Sequence, residues 1–381
     1  MKILVASDSF KGTLTSKEIG EIVQNAFSDC KNYSVDYVQI SDGGEGLIPS
    51  IVSNFNGNVE EVEVIAPLGE DHKVNAKIGF SKNNEIAVIE MAEASGITLV
   101  EKSKLNPEVT TTYGLGQLVV YALDKGVKKI IMGIGGSATN DAGTGMLQAL
   151  GVEFYNEGEK ISQYMTGGLL EKVDKIDVSK LDERLKDVEI RIACDVTNPL
   201  IGEKGATYIF GPQKGGSKAQ LDRLEQSMVK YAKIVERDFG KVITEISGGG
   251  AAGGVGAAAY SFFNAELISG IDLVLETINF KEIVANYDMV ITGEGKMDSQ
   301  SVHGKAPHGV LKIATSLGID VIGVCALKQD EKILENAGFK KVYSIVPNYA
   351  TSKESIESPQ KCLSILLSEF KKEILGGTYG N

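Results

Sequence analysis

Repeatedly along this chain, a run of β-branched and aliphatic residues breaks into a loop of glycine with small polar or acidic side chains, and the loop runs into a helical pattern. The fullest instance is Val127–Met132 followed by Gly133-Ile-Gly-Gly-Ser-Ala-Thr-Asn-Asp-Ala-Gly-Thr-Gly-Met146. Others are Lys2–Ala6 leading into Ser7-Asp-Ser-Phe-Lys-Gly12, Val35–Ile40 into Ser41-Asp-Gly-Gly-Glu-Gly46, and Val188–Ala193 into Cys194-Asp-Val-Thr-Asn-Pro199. A strand that continues into a helix must cross over the sheet before the next strand, so the pattern confines the chain to an α/β fold built on parallel strands. Glycine removes side chains from such turns and tolerates positive φ, which lets backbone N–H groups, hydroxyls and carboxylates face a ligand at the carboxyl edge of the sheet.

The order of these units predicts the domain plan. Thr15 or Ser16 caps the first helix, Glu18 stands in its first turn, and Ile19, Ile22, Val23 and Phe27 share one face. A second β-loop-α unit carries Leu47, Ile51 and Phe55. Glu61–Ile65, Lys73–Phe80 and Glu85–Glu90 then follow one another without helices, which reads as an antiparallel meander. Helices are expected near Gly114–Asp124 and Lys218–Phe239. From Tyr287 the α/β rhythm returns, with strands near Val321–Cys325 and Val342–Val346 and a last helix over Pro359–Leu375. A chain of 381 residues exceeds the ~250–300 at which single cores usually divide. The expectation is therefore a two-domain α/β protein. Residues 1–58 plus 281–381 form a discontinuous, doubly wound parallel-sheet (Rossmann-like) domain, a mixed α/β domain of residues 59–280 is inserted into it, and the active site lies in the cleft between them.

The formal charge of −12 argues against nucleic-acid partners, which draw on clustered Lys and Arg. No apolar run is long enough to cross a bilayer, and the start reaches Asp8 without a cleavage signal, so no membrane partner and a cytoplasmic location are expected. Cys30, Cys194, Cys325 and Cys362 have no paired spacing, which leaves neither a zinc site nor a disulfide framework.

Three groups of residues carry candidate chemistry. Asp42 and Glu45 sit among glycines after one strand, and Glu294 after another, with Asp195 and Asp298 at further loop positions. Such carboxylates suit Mg²⁺, a hard cation that takes one or two protein carboxylates together with phosphate oxygens. Each taken singly could equally cap a helix or close a turn. Lys11, Lys214 and Lys305 adjoin glycine in loops, where an ammonium can reach a phosphate, although each could also be an ordinary surface lysine. The third group is Ser137, Thr139, Asn140 and Asp141 in the Gly133 loop, placed to hold an anion. Gly133-Ile-Gly-Gly-Ser-Ala138 also matches a dinucleotide fingerprint, but no acidic residue closes the following strand. A P-loop pattern and a legible hydrolase triad are both absent.

Taken together, Ser9-Phe-Lys-Gly12, Asp42-Gly-Gly-Glu-Gly46, Ile89-Glu-Met-Ala92 with Ala94-Ser-Gly96, Gly133–Asp141, Ala193-Cys-Asp-Val-Thr-Asn-Pro-Leu200, Phe210-Gly-Pro-Gln-Lys-Gly215, and Ile291-Thr-Gly-Glu-Gly295 with Gly304-Lys305 closely resemble the bacterial type I glycerate kinase family. Ser7 departs from the proline usual there, and Ala142 from a frequent glycine. The resemblance implies transfer of a phosphoryl group from ATP, with Mg²⁺, to D-glycerate, with 2-phosphoglycerate the favoured product, by a monomer or homodimer. Under it Asp195, Lys11, Asp42 and Glu45 are the catalytic candidates. Asp8, Ser137, Thr139, Asn140, Asp141, Asn198, Lys214 and Lys305 are candidates for binding substrate or phosphate, and Glu294 and Asp298 for metal. The alternatives are a dinucleotide-binding oxidoreductase and a kinase of another small hydroxy acid.

Overall fold

Ile3, Leu4 and Val5 are all buried, so the strand Lys2–Val5 is covered on both faces, as a parallel sheet requires. It lies inside a five-stranded sheet ordered Lys341–Val346, Asp320–Lys328, Met289–Met297, Lys2–Val5, Ser34–Tyr37, with every neighbouring pair parallel. The computed structural model describes residues 1–44, 46–69, 72–302 and 304–375. It divides into two units. This sheet belongs to the first, made of Met1–Asp42, Pro49–Asn54 and the chain from Ile271 onward; the second comprises Gly43–Ile48 and Phe55–Gly270. Glu45, one of the candidate catalytic carboxylates, lies outside the described residues.

The first unit is wound in two directions. From Lys2–Val5 the chain moves to Ser34–Tyr37 on one flank; when it returns, Met289–Met297 takes the other flank and the later strands extend outward. The loops that leave Lys2–Val5 and Met289–Met297 therefore diverge at a topological switch point, where open α/β sheets bind ligands. One face is packed by Ile19, Val23 and Phe27 of the first helical segment and by Leu363, Leu366, Leu367 and Phe370 of the last helix, Pro359–Leu375. Phe370 meets Phe27 edge-on at 6.0 Å and Tyr343 at 5.2 Å. Leu4, Val290 and Val321 alternate onto the other face, where the helix Ala306–Ser316 packs on Met289–Met297 and Asp320–Lys328.

Thr15, not Ser16, caps the first helix, Ser16–Ala26. The Glu18 N–H donates to the Thr15 hydroxyl at 3.2 Å, and the Thr15 N–H donates back to the Glu18 carboxylate at 2.8 Å. Two otherwise orphaned donors are satisfied reciprocally. A Thr15→Ala substitution is expected to cost about 1 kcal/mol, read as a melting temperature lower by a few degrees; an unchanged melting curve would show the cap to be redundant.

The second unit holds a six-stranded sheet ordered Glu266–Ile268, Glu189–Ala193, Lys129–Gly133, Ile86–Glu90, Lys73–Phe80, Asn58–Ile65. The first four strands are parallel, and the last two add antiparallel pairs. This is the meander legible in the sequence, with its first strand starting at Asn58 because the exposed edge residues there carry no apolar alternation. Tyr113–Asp124 and Lys218–Phe239 form the expected helices. A small antiparallel sheet of Glu159–Lys160, Glu153–Asn156 and Lys175–Asp177 is not evident in the sequence, since strands of two to four residues leave no periodic signal. Among the described residues no helix is long and apolar enough to cross a membrane.

Candidate functional site

At the switch point of the first unit, the loops convert strand ends into a charged cluster. The Asp8 N–H donates to the Gly293 carbonyl at 2.9 Å, so the Ser7–Gly12 loop is fastened to the strand that delivers Glu294. Asp8 itself is buried, and its carboxylate accepts the Ser9 N–H at 2.7 Å. Burial pushes the Asp8 carboxyl up to about 7, and repulsion from Asp42 and Glu294 adds to this against the Ser9 hydrogen bond and Lys11. The Lys11 ammonium donates to Asp42 at 2.8 Å. Burial acts to lower Lys11, but the hydrogen bond and ion pair with Asp42 outweigh it and hold the ammonium above its ordinary range.

Glu294 and Asp298 are joined through Ser301. The Ser301 hydroxyl donates to Glu294, and the Asp298 N–H donates to the Ser301 oxygen at 3.0 Å. Lys305 lies 3.4 Å from the other oxygen of Glu294. Lys296 lies 2.8 Å from Asp298, and this contact keeps the Asp298 carboxyl below the usual range. These groups open onto a cavity of about 450 Å³ lined by Lys11, Glu294, Asp298 and Lys305 together with Phe10, Ala326 and Ile356. Acidic oxygens and ammonium groups in one concavity suit a polyphosphate with a hard cation.

In the second unit the Gly133 loop turns inward. Thr139, Asn140 and Asp141 have no exposed surface, whereas Gly135 and Gly136 are exposed. The Asp141 carboxylate accepts hydrogen bonds from the Thr112 N–H (2.9 Å), the Thr112 hydroxyl (2.7 Å), the Gly143 N–H (3.1 Å) and the Gly145 N–H (3.2 Å). Burial raises this carboxyl against those four bonds. Lys214 is 1% exposed and donates to the Thr139 carbonyl at 2.5 Å. Burial lowers its ammonium to about 7, with Asp141 acting the other way. Asn140 donates to the Thr207 hydroxyl at 3.1 Å. Ala142 takes φ of +53°, the left-handed region that favours glycine, held by its N–H bond to the Gly253 carbonyl. What the loop presents outward is thus backbone at Gly135 and Gly136, while the adjoining Ser137 is buried.

Asp195 is exposed at the carboxyl end of Glu189–Ala193, and one of its oxygens accepts the Gly270 N–H at 2.8 Å. Gly43 passes here with φ of +85°; a Cβ on it would stand 2.5 Å from the Gly270 Cα and 2.9 Å from the Ala193 Cβ. Asn198 is held by its own loop, donating to the Lys204 carbonyl at 2.8 Å. The structure therefore brings Asp8, Lys11, Asp42, Glu294, Asp298 and Lys305 into the first unit's cluster, and groups Thr139, Asn140, Asp141 and Lys214 inside the second unit's loop support.

A larger depression of about 1,080 Å³ in the second unit lies beside Glu189 and Glu266, which begin parallel strands. Ligands in such sheets bind at the opposite, carboxyl edge, so this depression is not the candidate site despite its size. Sequence reasoning passed over Thr112 and Ser301, which orient Asp141 and Glu294. The run Thr110-Thr-Thr112 before a helix was the available signal for the first; Ser301 carried none.

Comparison with known proteins follows this geometry. The family model described as the glycerate kinase family matches residues 3–374. The chain is 44% identical to a glycerate kinase of Halalkalibacterium halodurans, covering 95% of each protein. It is 42% identical to the glycerate 2-kinase of Escherichia coli, covering 93% of each. A crystal structure assigned to glycerate kinase 2 of Salmonella typhimurium LT2 superposes with a TM-score of 0.89 at 38% identity, covering 100% of both chains.

Proposed function

The chain belongs to the glycerate kinase family, and on that premise we propose that it transfers the γ-phosphoryl group of ATP to a hydroxyl of D-glycerate, giving 2-phosphoglycerate and ADP. The observation that carries the reading is the first unit's switch-point cluster, in which Lys11 and Lys305 share one cavity with Glu294 and Asp298. Phosphoryl transfer asks for positioning, charge neutralisation and a base, not for covalent work by the protein.

In this reading Lys11 and Lys305 neutralise phosphate oxygens. Glu294 and Asp298 would hold Mg²⁺ together with phosphate oxygens. The fit is chemical: the donors are carboxylate oxygens, which suit a hard divalent cation. When bound, the ion would screen charge on the transferred phosphoryl group. Asp195, oriented by the Gly270 N–H, takes the proton of the attacking hydroxyl as the new P–O bond forms and the bond to the ADP oxygen breaks. The exposed backbone at Gly135 and Gly136, with Ser137, holds the carboxylate of glycerate, and Lys214, Asn140 and Asp141 keep that loop in shape from inside.

Phosphorus NMR of the product made from ATP and D-glycerate tests the reaction and its regiochemistry together. The 2-phosphoglycerate resonance is the expected result; the 3-phospho ester, or no ester, would overturn the corresponding part. Activity on another small hydroxy acid in preference to D-glycerate would favour the related reading, whereas family membership decides against the oxidoreductase. We place the enzyme in the cytoplasm as a monomer or homodimer on the same reading.

A further inference from the structure

The cavity that holds Lys11 and Lys305 is lined in part by apolar side chains. The helix Ser352–Glu357 gives it Ile356, which at 66% exposure is the most exposed large apolar side chain among the described residues, and the strand Asp320–Lys328 gives it Ala326. We propose that Ile356 and Ala326 form the base-binding wall of the nucleotide site, covering the purine ring of a nucleoside triphosphate whose phosphates lie at the lysine end. This rests on the kinase reading and adds to it the placement of the nucleotide.

Three observations support the placement. First, Ile356 is not out in solvent by disorder of its segment. The helix is fixed at its start by a capping box, in which the Glu354 N–H donates to the Thr351 hydroxyl at 3.3 Å and the Thr351 N–H donates to Glu354 at 2.9 Å. It is further packed on Lys341–Val346 and on the last helix. Its buried Ser355 and its exposed Ile356 both line the cavity. A single exposed isoleucine on a surface needs no explanation, but this one sits on a capped helix against a cavity that also carries Lys11, Lys305, Glu294 and Asp298. Second, the cavity volume of about 450 Å³ falls in the range of pockets that enclose a nucleotide-sized ligand. Third, the lining is mixed. The ammonium and carboxylate groups of Lys11, Lys305, Glu294 and Asp298 share the cavity with the apolar side chains of Phe10, Ala326 and Ile356, which suits a ligand with an anionic tail and a flat, weakly polar head. Gln300 also borders this cavity and supplies an amide for the edge of the ring.

The test separates the base from the phosphates. Affinities for MgADP and for inorganic tripolyphosphate are measured by calorimetry on the full chain and on Ile356→Ser, a substitution at an exposed position that adds no charge. The expected result is an ADP affinity about tenfold weaker in the variant, from lost apolar contact, with tripolyphosphate affinity and the KM for D-glycerate unchanged. Ile356→Phe should restore or improve ADP binding. An ADP affinity unmoved by Ile356→Ser, in a protein that still phosphorylates D-glycerate, would overturn this placement and leave the kinase reading standing. Equal weakening of ADP and tripolyphosphate would also overturn it, because the side chain would then act on the phosphate end. Absence of ADP binding and of turnover in the unmodified protein would overturn both.

Discussion

An Asp141→Ala variant is expected to lose about 3–5 kcal/mol of stability, the largest effect of any single polar substitution considered. The reason is the number of donors that one carboxylate satisfies. The Thr112 N–H and hydroxyl and the Gly143 and Gly145 N–H groups all end on it, at 2.7 to 3.2 Å, in a place with no exposed surface. Leaving a buried donor unpaired costs about 1–3 kcal/mol apiece, and relaxation or entry of water reduces the sum. Burial works against the carboxylate's own charge, so the sign is set by the donors it serves and not by its ionisation. Urea denaturation should show a lower midpoint. Asp141→Asn, which keeps one acceptor but turns an amide N–H₂ towards donors, should fall between wild type and alanine. A loss below about 1 kcal/mol for the alanine variant would mean that water replaces the carboxylate, and that the loop does not depend on it.

Asp195→Asn is expected to lower kcat by about 10²- to 10⁴-fold, the usual worth of a positioned general base, while leaving the unfolding midpoint unchanged. The two halves of this expectation come from different observations. Asp195 is exposed, and asparagine retains an oxygen for the Gly270 N–H. The amide cannot accept the hydroxyl proton, so the chemical step is expected to slow while the KM for ATP stays near that of wild type. A variant with near wild-type kcat would remove Asp195 from the reaction. A large rise in the KM for D-glycerate at unchanged kcat would make it a binding group instead.

Much of the framework was legible because it is local. The alternation of apolar runs, glycine loops and amphipathic helices over the first and last parts of the chain predicts a parallel sheet, and the structure has one, with Lys2–Val5 and Met289–Met297 side by side. The meander was legible for the same reason: three strands of five to eight residues separated by turn residues leave a clear pattern. The capping residue of Ser16–Ala26 was narrowed to two neighbours and resolved only by the hydrogen bond that Thr15 makes with Glu18. The small sheet around Glu153–Asn156 was not legible, because its pairing depends on residues of the segment Lys175–Asp177 that carry no pattern of their own.

The site divides along the same line. By itself the sequence determined that carboxylates and lysines occupy glycine-bounded loops after strands, since strand, loop and helix are encoded within a few neighbouring residues. Which way each side chain faces was decided only by the tertiary structure. The Gly133 loop reads as a row of hydroxyls and amides offered to an anion, yet Thr139, Asn140 and Asp141 are buried. Thr207 and Thr112, which meet the Asn140 amide and the Asp141 carboxylate, and Lys214, which meets the Thr139 backbone carbonyl, arrive from 67, 29 and 75 residues away. The position of a partner that distant is a property of how the elements pack. The same packing buries Ser355 and leaves Ile356 exposed on one cavity, a distinction that no local pattern in the chain contains.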